Sequence, residues 1–94
     1  MDNEHLELLE SLGKLTSFTP GRIEIRLANY YSVSILYGGI GYSSEGTYEL
    51  AVINPDSKLD YTTPVTDDVL AYRTIEEVEA AIKLLLETYP AGEL

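Results

Sequence analysis

Residues 22–37, "RIEIRLANYYSVSILY", alternate in character with a period of two. Ile23, Ile25 and Leu27 fall on one face, while Arg22, Glu24 and Arg26 fall on the other. That pattern predicts a half-buried strand of about six residues. Asn29 and Tyr30 can turn the chain, and Tyr31, Val33, Ile35 and Tyr37 then alternate against Ser32, Ser34 and Leu36 as a second strand. Working outward, "TYELAVI" (47–53) predicts a third strand. Its Ala51 and Ile53 make the second face apolar too, which suits an interior position in a sheet. Between these strands "GGIGYSSEG" (38–46) reads as a loop, because glycine supplies the backbone angles a tight loop needs. "NPDS" (54–57) carries turn residues, and "KLDY" (58–61) is expected as a short fourth strand.

Helical patterns flank this run. At the amino end, Leu6, Leu9 and Leu12, with Leu8 and Leu15 beside them, recur at three- and four-residue spacing and give one apolar face. Asp2 or Asn3 can cap that helix, and Glu4 and Glu7 suit the positive end of its dipole. "TSFTPG" (16–21) is expected to be a turn. At the carboxyl end, Thr74 and Glu77 have capping-box spacing. Ile75, Val78, Ile82, Leu85 and Tyr89 follow as a stripe, and Pro90 ends it. The expected fold is therefore α+β, a single domain over 1–94. An antiparallel meander of three to four strands is flanked by an N-terminal and a C-terminal helix, in the order α-β-β-β-(β)-α, with the helices on one face.

Composition narrows function. Sixteen acids against six bases give a net charge of −10. A field of that sign repels nucleic acid and anionic membrane, and either favours a basic partner or simply keeps the protein in solution. The chain has no cysteine, so it can form neither a disulfide nor a thiolate metal site. It shows no secretory leader pattern and no apolar run of membrane-spanning length, and a cytoplasmic location is expected. His5 is the only histidine. Near a chain end that tends to fray, it reads as an exposed bystander rather than a general base. The glycines of 38–46 lack the Gly-Lys-Ser/Thr run and following helix of a phosphate loop.

The carboxylates of 61–82, "YTTPVTDDVLAYRTIEEVEAAI", have local explanations. Adjacent Asp67 and Asp68 do not match the alternating ligand spacing of a calcium loop, and read as turn or capping residues. Glu76 and Glu77 suit the first turn of a helix, and Glu79 pairs with Lys83 at i, i+4. Helix physics does not require so many acids in both terminal segments. If the two helices lie side by side, those acids form one negative surface. Eight tyrosines against one Phe and no Trp are the other departure from average composition. Tyr31, Tyr37 and Tyr48 are expected in the core. Tyr30, Tyr42, Tyr61 and Tyr72 are candidates for contact with a partner, since tyrosine is enriched at interfaces. Asp67, Asp68, Glu76, Glu77, Glu79, Tyr42 and Tyr72 form the candidate partner-binding set. No catalytic residue, metal ligand or cofactor is assigned.

The segment "YELAVINPDSKLDYTTPVTDDVLAYRTIEEVEAAI" (48–82) resembles small uncharacterised proteins of bacteriophages and prophages. They carry a Tyr-Glu-x-Ala-Val strand, a Y-x-T-P-[VI]-T-D-D-V segment and a helix opening Thr-x-Glu-Glu. The resemblance implies a mobile-element context and brings no catalytic residues. Together with the charge, it leads to the expectation of a non-enzymatic interaction protein. Such a protein would inhibit a basic host protein or nuclease complex, in the manner of anti-CRISPR or anti-restriction proteins with a DNA-mimic surface. The alternatives are a toxin-neutralising immunity protein, or a phage structural or accessory protein.

Overall fold

The computed structural model describes residues 1–65 and 69–90. Helix α1 (Asn3–Leu12) is followed by β1 (Lys14–Thr19), β2 (Arg22–Arg26), β3 (Ser32–Leu36), β4 (Tyr48–Ile53), β5 (Leu70–Arg73) and helix α2 (Ile75–Thr88). The strands form one antiparallel sheet in the order β1-β2-β3-β4-β5. The α+β meander between two helices is as expected, with five strands where three to four were read.

Register explains the layering. Ile23 lies opposite Ile35, Ile25 opposite Val33, Val33 opposite Val52, and Ile35 opposite Leu50. Directly opposed residues share a face, so these side chains line one side of the sheet. They are fully buried there or nearly so, with Leu9 of α1 and Ile75, Val78, Ile82 and Leu85 of α2 packed on them. The opposite face carries Arg22, Glu24, Arg26, Ser34, Leu36 and Glu49. Strand β4 is interior, paired on both sides, as its two apolar faces indicate.

Three local readings need correction. Helix α1 stops at Leu12, and residues 14–19 form a strand where the sequence suggested a helix end and a turn. Gly13 makes this break. A Cβ there would sit 2.6 Å from the Arg26 carbonyl oxygen, so only glycine lets the chain pass so close to β2. The strand itself is hidden by a register shift between Leu15 and Ser17. One extra residue at a bulge destroys strict alternation. Pro20 and Gly21 (φ 84°) then turn the chain into β2. Finally, "KLDY" contributes only a single bridge, Leu59 to Ile53, with the Asp60 N–H bonded to the Val52 carbonyl. The last strand is instead Leu70–Arg73, which also carries a register shift and a left-handed Tyr72 (φ 53°).

Both helix starts are capped as the sequence indicates. Asp2 accepts from the N–H groups of Glu4 and His5. Thr74 and Glu77 complete the reciprocal capping box: the Thr74 N–H donates to Glu77 at 3.0 Å, and the Glu77 N–H donates to the Thr74 hydroxyl at 3.3 Å. The Thr74 N–H holds the Glu77 carboxyl below the usual glutamate range, with help from the Arg73 guanidinium. A lowered carboxylate pKa contributes stability that is complete above the unfolded-state value and lost as pH falls through the folded-state one. Glu77→Gln keeps a capping acceptor but removes this titration. Melting temperature followed against pH should therefore fall less steeply on the acid side for that variant, with near-native stability at neutral pH. An unchanged acid limb would show that the box is not formed in solution.

The far end of α2 is held by the turn between β2 and β3. Asn29 is fully buried. Its Nδ2 donates to the carbonyls of Leu85 (3.3 Å) and Tyr89 (2.8 Å), and its Oδ1 accepts from the Tyr31 N–H (3.1 Å). Carbonyls at a helix end run short of partners: that of Leu85 also accepts the Tyr89 N–H at 3.1 Å, and that of Tyr89 receives the Asn29 amide. Tyr31 stacks on Tyr89 at 4.7 Å between ring centroids, beside the amide. The sequence marked Asn29 as a turn residue and missed its burial.

Candidate functional site

Both helices pack on the same side of the sheet and touch each other, so their outer faces form one layer. Glu4, Glu7 and Glu10 recur every third residue along α1 and are all exposed. On α2, Glu76, Glu77 and Glu87 are exposed and Glu79 is half-buried. Helix α1 contains no Lys or Arg, and α2 contains only Lys83. The side-by-side placement that the acidic surface required is therefore present.

Of the remaining cations, Arg73 adjoins the start of α2 and Lys58 lies in the turn after β4. Lys14 is opposite Arg26 on adjacent strands, and Arg22 and Arg26 sit on the open face of the sheet. Arg22 bonds Glu24 at 2.9 Å and the Ser34 hydroxyl at 3.1 Å. The molecule is thus polarised, with an acidic helix layer and a sheet face of mixed charge.

Not every carboxylate of the layer is equally free. Glu77 is committed to the capping box and to Arg73 at 3.3 Å. Glu79 reaches Lys83 at 3.3 Å, the expected i, i+4 pair. Glu76 stands clear of both. Asp67 and Asp68 lie outside the described residues. Among the described residues, no three His, Asp or Glu side chains gather as a metal-binding group.

Tyr42 and Tyr72, far apart in sequence, are brought edge-to-face with ring centroids 6.4 Å apart. The Tyr72 N–H donates to the Tyr42 carbonyl at 2.9 Å, which joins the 38–47 loop to β5. Both rings are more than half exposed, and Ile40 beside them is exposed too. Tyr30 and Tyr61 are likewise exposed, so all four tyrosines singled out for contact are on the surface. Tyr48 is buried, and Tyr31 and Tyr37 are half-buried against the core.

His5 departs from the sequence reading. It is half-buried, and its Nδ1 lies 2.5 Å from the hydroxyl of Tyr48, a side chain only 3% exposed. Burial, followed by the nearby Asp2 charge, raises the Tyr48 phenol above its ordinary pKa, so the hydroxyl stays protonated at neutral pH. The signal for the partial burial of His5, though not for its partner, was present in sequence: His5, Leu9 and Leu12 follow i, i+4, i+7 spacing, which places His5 on the inward stripe.

Comparison of the chain with protein-family models, curated proteins and solved structures gave no match.

Proposed function

We propose that this protein acts by non-covalent interaction, presenting its acidic helix layer to a basic partner protein. In its finer form, the partner is a nucleic-acid-binding protein or nuclease complex of a host, and the chain is a phage-encoded inhibitor that offers carboxylates where phosphates would dock. The observation that carries the proposal is the segregation of charge. The acids of α1 and α2 share one layer, while three of the five cations outside the helices, Lys14, Arg22 and Arg26, lie on β1 and β2; Arg73 alone of the strand cations pairs with that layer, at Glu77. Complementary fields of this kind steer encounter and select partners more than they add affinity.

The test uses the full chain as bait in host lysate, beside a variant carrying Glu7→Lys, Glu10→Lys and Glu76→Lys. These positions are exposed and lie outside the caps, so the fold should tolerate the changes. Glu77 is left intact because it closes the capping box. The expected outcome is a basic, nucleic-acid-binding partner that elutes with salt and is absent from the variant. Equal capture by both baits would remove the helix layer from the mechanism. Capsid or tail components in place of a basic protein would favour the accessory-protein alternative.

A further inference from the structure

The amino end of α1 and the loop between β3 and β4 flank an open cavity of about 470 Å³. Small-molecule sites span roughly 300–1,000 Å³. The walls include Asp2, His5, Tyr37, Ser44, Glu45 and Tyr48. We propose that this cavity binds the head group of an organic ammonium ion. The inference is independent of the helix-layer reading, which needs no cavity.

The aromatic walls are fixed in place before any ligand arrives. The Tyr48 hydroxyl is tied to His5, and the two rings meet edge to face at 5.7 Å. The Tyr37 hydroxyl donates to the Thr19 carbonyl at 3.2 Å. Ser44 is tied to Thr47 across the turn that carries Glu45. Tyr37 is half-buried, so part of its ring stands at the wall without an ordering cost at binding, while Tyr48, only 3% exposed, backs His5.

The charge of the cavity selects the sign of its ligand. Asp2 uses Oδ1 to accept the two helix N–H groups, which offsets the positive end of α1 and leaves its second oxygen outside those bonds. Glu45 is exposed and enters no ion pair among the described residues. No Lys or Arg lines the cavity, and the cationic group at its wall is the α-ammonium of Met1, outnumbered by the two carboxylates. An anion would meet two carboxylates there. A methylated or primary ammonium group meets carboxylates for its charge and aromatic rings for its carbon atoms.

The experiment is an amide NMR titration of the full chain with choline. Its neutral isostere, in which carbon replaces the quaternary nitrogen, is titrated in parallel. Choline should give saturable shifts confined to residues 2–5, 37–38 and 44–48, and the isostere should not. Glu45→Gln, at an exposed turn tip, should weaken choline binding several-fold and leave the rest of the spectrum unchanged. A tripeptide with a central trimethyl-lysine separates the sources of the head group. Tighter binding than choline assigns it to a protein side chain, and equal or weaker binding assigns it to a free small cation. Equal shifts from the isostere, or no saturable shift with choline at tens of millimolar, would overturn the proposal.

Discussion

Shortening Leu85 to alanine is expected to destabilise the fold by about 2–5 kcal/mol. Leu85 is fully buried on the inward stripe of α2 with Ile75, Val78 and Ile82. It sits in the last turns of the helix, where its own carbonyl also receives the Asn29 amide. Removing three carbon atoms there loses their burial and leaves a gap that the sheet behind cannot close, since interiors are packed as densely as crystals. Domains of this size are stable by only about 5–15 kcal/mol in total. The melting temperature should therefore fall by roughly 10 °C or more. Urea titration measures the effect, and an unchanged m-value would confirm a loss of stability alone. A loss under about 0.5 kcal/mol, ordinary for a surface position, would mean that this stripe does not pack on the sheet.

The second large effect is expected at Asn29. Asn29→Asp preserves shape but replaces the amide donor with a carboxylate oxygen facing the Leu85 and Tyr89 carbonyls. The Tyr89 carbonyl loses its donor, the Leu85 carbonyl keeps only the Tyr89 N–H, and a charge is buried beside both. The combined cost at neutral pH should reach about 3 kcal/mol or more. Its pH dependence has a definite sign. Burial and the facing carbonyls favour the protonated acid, so the folded-state pKa of the new carboxyl is raised above the unfolded-state one. Stability of the variant relative to the native chain should then recover as the carboxyl protonates on acidification, and fall as pH rises. Chemical denaturation at a series of pH values reads this directly. A variant as stable as the native chain at neutral pH would show that the amide does not hold the end of α2.

Much of this fold was legible because its strongest elements obey simple periods. Ile23, Ile25, Val33, Ile35, Leu50 and Val52 alternate without interruption, and the α2 stripe keeps helical spacing from a capping box to a proline. The elements that escaped are those in which one residue breaks the period. A bulge between Leu15 and Ser17 disguised β1, and the register shift with left-handed Tyr72 disguised β5. "KLDY" looked like a strand because it is apolar and polar by turns, yet only one bridge forms there. For the site, local physics gave the roles of Glu77 and Glu79. It could not give the contact of Tyr42 with Tyr72, or that of His5 with Tyr48. Both join segments that meet only once the sheet has formed, so no window of sequence contains them. Asn29 belongs to the same class: its turn is local, while its bonds reach residues 85 and 89.

In the proposed function, charge draws a partner to the helix layer. Its most direct test is the association rate with the captured partner, measured against ionic strength for the native chain and for the Glu7→Lys, Glu10→Lys, Glu76→Lys variant. Association should be fast at low salt and slow steeply as salt rises, and the variant's rate should be lower and nearly independent of salt. A native rate insensitive to ionic strength, or a variant that follows the same curve, would contradict it.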